Sequence, residues 1–165
     1  MNKGNKILYH GSSFSGIKNF KPQPHVVANG KEIVFATDHR NYALAMIYGT
    51  GEELAVSYVA NGNNKKEMYV DELQPGKLEL LKRPGCLYEV DAKYFEPSRE
   101  GLESEYISYA IVPVLSEIKV IDVLGELRGS PEVHLITYEE LPKSMAERGK
   151  ISSKPMIKHS PSRFL

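Results

Sequence analysis

ESEYISYAIVPV, residues 103–114, sets two carboxylates at the head of a run in which apolar and polar residues alternate. In an extended chain successive side chains point to opposite sides, so Glu103 and Glu105 share a side and both can face one cleft. A carboxylate at a strand mouth is either a solvated strand start or a chemical group. The rest of the chain has to decide between them.

Working outward, the spacing predicts a strand-rich chain with helix as the minority state. KILYHGS (6–12) reads as a strand ending at His10 and Gly11, followed by the turn SSFSG. Residues 18–31, with two prolines and Asn29-Gly30, read as a surface excursion. EIVFAT (32–37) is a second strand. Asp38 then offers an N-cap for a helix through HRNYALAMIYG, with apolar positions 43, 44, 46 and 47 forming a stripe and Gly49 as its stop. ELAVSYV (53–59) and EMYVDEL (67–73) read as a hairpin around an Asn-Gly turn. KLELL (77–81), CLYEVDA (86–92), YISYAIVPV (106–114), IKVIDVL (118–124) and HLITYEE (134–140) complete the expected strands. One or two helical turns are expected after Pro142. Residues 1–149 thus read as one domain and 150–165 as a polar, proline-punctuated tail.

Composition narrows the function classes. Apolar residues at 41% and charged residues at 25% describe a globular domain with a core of its own. With 21 basic against 21 acidic residues there is no net charge to draw the chain onto nucleic acid or an anionic bilayer. No apolar run reaches the roughly 20 residues of a membrane span. The opening MNKGNKILYHGSS lacks the apolar stretch of a signal peptide, and a single cysteine, Cys86, leaves no disulfide within the chain, so the expectation is a cytoplasmic protein.

Most chemistry motifs are missing. GTGEEL (49–54) follows a helix rather than a strand and lacks the third glycine of a dinucleotide fingerprint. The five histidines, at 10, 25, 39, 134 and 159, are too scattered to build a zinc site, so no metal is expected. Cys86 at a strand start reads as a small buried hydrophobe. Three segments remain in which a polar or aromatic handle meets the end of a strand or helix: LYHGS, IVFATDHRNYALA and SEYISY.

Taken in that order, these segments resemble the motifs of the ADP-ribosyltransferase superfamily, and most closely its His-Tyr-Glu branch, which includes diphtheria toxin and the poly(ADP-ribose) polymerases. The resemblance covers roughly residues 7–124. It implies an α+β ADP-ribosyltransferase-like fold, with two mostly antiparallel sheets forming a split core around an NAD cleft and few helices. It also implies cleavage of the nicotinamide–ribose bond of NAD and transfer of ADP-ribose to an acceptor. His10 would then bond a ribose hydroxyl, the Gly11 backbone would hold the carboxamide, and Ser12 would assist at the adenosine ribose. Tyr42 would stack on the nicotinamide ring and Glu105 would be the catalytic carboxylate. Phe35 stands beside Val34 where many relatives carry a stacking tyrosine, and His39 stands where many carry a serine. In the arginine-modifying branch the first glutamate of such a pair orients the acceptor, a role that would fall to Glu103.

The residue types suit that chemistry without a metal. As nicotinamide leaves, positive charge develops on the ribose, and a fixed carboxylate stabilises it. A tyrosine face attracts the pyridinium cation by roughly 0.5–2 kcal/mol. Two other readings stay open. One is an RNA 2'-phosphotransferase, for which Arg40, Arg83 or Arg99 would supply the extra cations. The other is a degenerate nucleotide-binding module that keeps the cleft without turnover.

Overall fold

The computed structural model describes residues 4–25, 28–48, 52–60, 65–99 and 104–151. In chain order the strands are β1 (Ile7–Ser12), β2 (Asn19–Phe20), β3 (Gln23–Pro24), β4 (Glu32–Thr37), β5 (Leu54–Ala60), β6 (Lys66–Glu72), β7 (Gly85–Asp91), β8 (Glu96–Pro97), β9 (Glu105–Ser108), β10 (Val112–Val120) and β11 (Val133–Ile136). Helices α1 (Arg40–Ala45), α2 (Val123–Arg128) and α3 (Leu141–Ile151) are joined by single 3-10 turns at 46–48, 77–81 and 92–94. The chain is α+β, mostly antiparallel and poor in helix.

The larger sheet runs β2-β10-β7-β1-β4-β9-β8, with β3 added on β4. The smaller one runs β11-β6-β5, where β11 lies parallel to β6. Alternation along the strands divides the core in two. Tyr9, Phe35, Leu87, Ile118 and Val120 face α1, α2 and the small sheet, in the cluster built on Tyr42, Leu44, Val56 and Met68. Leu8, Val34, Ala36, Tyr88 and Val90 face the other way, with Phe20 and Val112. Strands buried on both faces explain why alternation is blurred in EIVFAT and CLYEVDA.

Several elements differ from the sequence expectation. KLELL is a 3-10 turn rather than a strand. Gly76 enters it at φ 79°, and the Leu78 N–H donates to the Glu72 carboxylate at 2.8 Å, which curls the chain so that Leu78 and Leu81 are both buried. YISYAIVPV divides into β9 and β10, and β10 absorbs the first residues of the expected strand 118–124, whose end opens α2. The α1 cap is His39 rather than Asp38: its Nδ1 accepts from the Tyr42 N–H at 3.3 Å, while Asp38 turns to Lys6 and the Tyr106 hydroxyl. The one or two turns expected after Pro142 are an 11-residue helix, α3, which begins at Leu141 and takes in the first two residues of the expected 150–165 tail; the rest of that tail and the expected stop at Gly49 lie outside the described residues. Among the described residues no helix is long and apolar enough to cross a membrane.

Arg148 docks helix α3 on the small sheet. Arg148 donates to both carboxylate oxygens of Asp71, at 2.8 and 3.0 Å, and its guanidinium lies 4.3 Å from the centre of the Tyr69 ring. Both partners are buried. Removing one member strands the other charge, so Arg148→Ala is expected to cost about 3–5 kcal/mol. That should lower the midpoint of a thermal melt by roughly 10 °C. Replacing both Arg148 and Asp71 with apolar residues should cost less than the single change.

Candidate functional site

The strands carrying the three motifs are consecutive neighbours: β9, β4 and β1. β4 pairs with β9 along its last four residues, from Val34 opposite Ser108 to Thr37 opposite Glu105. β1 pairs with β7 along its whole length. Between β1 and β4, however, the register holds only Tyr9 opposite Thr37. Beyond that pair the two strands diverge, and a cavity of about 550 Å³ opens in the fork, within the ~300–1,000 Å³ of ordinary ligand clefts.

His10 spans the fork. Its Nδ1 lies 2.6 Å from the Phe35 carbonyl oxygen, and its ring packs against Phe20 at 4.2 Å. A carbonyl can only accept, so Nδ1 carries the hydrogen. Burial pushes the imidazole below its ordinary pKa, partly opposed by that hydrogen bond, and the ring is neutral near pH 7. Nε2 is then an acceptor, and His10 lines the cavity.

Gly11 follows on the same wall, and its lack of a side chain has a packing cause. A Cβ there would overlap the Ala43 carbonyl oxygen of α1 and lie 2.8 Å from Ile47 Cγ1. A Cβ on Gly85 in the adjacent strand would lie 2.7 Å from Ile47 Cγ2. Ile47 therefore sits in a socket made by two glycines, and this seats the turn at 46–48 against the sheet. Met46 and Tyr48 from that turn line the cavity opposite His10. Ser12 also lines it, and its Oγ accepts from the Phe14 N–H at 3.1 Å. Phe35 lines the β4 side, stacked on His25 with ring centres 5.5 Å apart.

Tyr42 and Glu105 form a second group. Both are fully buried, and the Tyr42 hydroxyl donates to Glu105 Oε1 at 2.9 Å. Burial, followed by the charge of Glu105 and this hydrogen bond, raises the phenol pKa far above its ordinary value. Tyr58 packs 5.7 Å from the Tyr42 ring and is raised likewise, burial leading. Neither Tyr42 nor Glu105 lines the cavity. Tyr9, Thr37 and Glu105 lie in one cross-strand row, so their side chains share the face under α1. His10, one residue on from Tyr9, points to the opposite side. The fold thus gathers His10, Gly11, Ser12 and Phe35 around the cavity and joins Tyr42 to Glu105 beside it. Glu103 lies outside the described residues.

Three groups at the cleft are not among the site residues expected from the sequence, and one of them, Tyr48, is expected there to point elsewhere. Phe14 is one, and its signal was a single aromatic in an otherwise Ser/Gly turn. Tyr48 is the second, with the Arg83 guanidinium 3.8 Å from its ring centre and its hydroxyl donating to the Pro84 carbonyl. His25 is the third. Of the three arginines considered for phosphate, only Arg83 lines the cavity; Arg40 lies 4.0 Å from Glu126, and Arg99 is exposed elsewhere.

Comparison with protein-family models, with curated proteins and with solved structures gives no significant match.

Two histidines make stability depend on pH in a defined direction. His39 is also lowered by burial, against the opposing pull of Glu132 and Asp38, and its Nδ1 must stay unprotonated to cap α1. Both folded-state values lie below the unfolded value of about 6.5. The unfolded chain therefore binds more protons as pH falls through that range, and stability present above about pH 6.5 is lost below it. Thermal melts should fall between pH 7 and 5, above the range where carboxylates titrate. His39→Asn, which keeps a capping acceptor, should flatten part of that slope.

Proposed function

We propose that the chain is an NAD-dependent protein of the ADP-ribosyltransferase type, which cleaves the nicotinamide–ribose bond and passes ADP-ribose to an acceptor. The observation that carries this reading is the adjacency of β1, β4 and β9, with the sheet opening between the two strands that lead to His10 and Tyr42. Segments distant in sequence and resembling the superfamily's three motifs lie on or follow three neighbouring strands, two of which frame the fork. A neutral imidazole with Nε2 as acceptor suits a ribose hydroxyl. The backbone at Gly11, on the cavity wall, suits a carboxamide. The cavity is of a size for a nucleotide.

In this mechanism Glu105 stabilises positive charge as it develops on the ribose, and Tyr42 faces the pyridinium ring. The Tyr42 hydroxyl covers the carboxylate, so the nicotinamide subsite forms only when that phenol moves aside. Catalytic contacts often tighten only once the substrate is present. The complete burial of Glu105 favours a second reading, a nucleotide-binding module without turnover. The RNA 2'-phosphotransferase reading draws support from Arg83 alone.

The test is release of nicotinamide from NAD, followed by chromatography, beside calorimetric binding. Glu105→Gln is expected to lower release by about 10²–10³-fold and to leave NAD affinity within about twofold. Equal release by the two proteins would remove Glu105 from the mechanism. NAD binding with no release by either would establish the module.

A further inference from the structure

The loop after β1 is held in place more firmly than its composition requires. The Tyr88 hydroxyl donates to the Phe14 carbonyl at 2.6 Å and accepts from the Ile17 N–H at 3.3 Å. Burial pushes that phenol up to about 12, so it stays protonated and able to donate. Gly16, at φ 77°, directs its N–H to Glu117 Oε1 at 3.0 Å, and the Lys18 carbonyl accepts from the Val114 N–H at 2.9 Å. With the Phe14 N–H on Ser12, every turn of this loop is tied to the sheet.

The one aromatic side chain of the loop gains nothing from this. Phe14 is 72% exposed, although it lines the cavity at the end of the wall that begins with His10 and Ser12. An aromatic face presented to solvent at a cleft mouth on a tied backbone is what stacking on a planar base needs, because the backbone ordering is already complete before the ligand arrives. From His10 to Phe14 the chain reaches at most roughly 13 Å, a span that the two halves of a dinucleotide bridge.

We propose that Phe14 is the stacking platform for the purine base of the nucleotide held in the β1–β4 fork. The inference rests on the reading of that fork as a nucleotide cleft. It adds a base-recognition residue that acts through its ring face and tolerates any flat aromatic base.

The chain contains no tryptophan, so Phe14→Trp places a single indole at the position in question. Its emission should be quenched on titration with ADP-ribose, with the affinity that calorimetry gives for the same protein. Phe14→Ala should bind ADP-ribose about tenfold more weakly and nicotinamide mononucleotide unchanged. Phe14→Tyr should restore ADP-ribose affinity. The side chain is exposed, so thermal melts of all three variants should match the parent. ADP-ribose binding that is equal in the parent and in Phe14→Ala, without quenching in Phe14→Trp, would overturn the role of Phe14 and leave the cleft reading standing. A parent protein that binds neither NAD nor ADP-ribose would overturn the cleft reading and this inference with it.

Discussion

The β1–β4 ladder ends after a single pair, Tyr9 opposite Thr37, and much of the molecule is organised around that interruption. A carbonyl left without a donor next to the core costs about 1–3 kcal/mol. The Phe35 carbonyl avoids this by taking the His10 Nδ1–H at 2.6 Å. One imidazole thus replaces a backbone rung and becomes part of the cleft wall. The burial that fits the ring against Phe20 also keeps it neutral, so its tautomer, its protonation and its free acceptor all follow from where the strands part.

On the other side of the same strands, the constraint is a carboxylate with no exposure. Burying such a group is costly unless it is hydrogen-bonded, and the Tyr42 phenol provides that bond. The pair ties α1 to the head of β9, across 63 residues of sequence. It also sets a tension between stability and chemistry: the contact that makes Glu105 tolerable in the core is the contact that covers its carboxylate.

The large features were legible because they depend on local patterns. EIVFAT is β4 to the residue, KILYHGS is β1 less its first residue, and the two strands of the expected hairpin pair antiparallel as β5 and β6, their Asn-Gly turn lying outside the described residues. A strand-rich chain with little helix followed from them, and the α+β class came with the resemblance. What was not legible depends on partners far away in sequence. Nothing in KLELL announces that Glu72 will accept from Leu78 and curl it. His39 and Asp38 are both plausible caps until Lys6 and Tyr106 claim the aspartate. Period-two alternation puts Glu103 and Glu105 on one side, but it cannot say whether that side is the cleft or the helix. That answer lies in the pairing of β9 with β4. Gly11 was read for its closeness to a ligand, whereas its neighbours are Ala43 and Ile47 of the chain itself.

That last contact sets how the cleft can deform. Ile47 is a peg in a hole framed by two strands, and the residues on either side of it, Met46 and Tyr48, form one wall of the cavity. A close-packed peg does not slide by degrees; it is either home or out. Widening the cleft on that side is therefore a discrete step with a threshold, and a molecule too bulky for the seated wall has to extract a side chain from the sheet before it can enter. The seat of that wall thus depends on two hydrogens, the ones that Gly11 and Gly85 carry where other residues carry carbon.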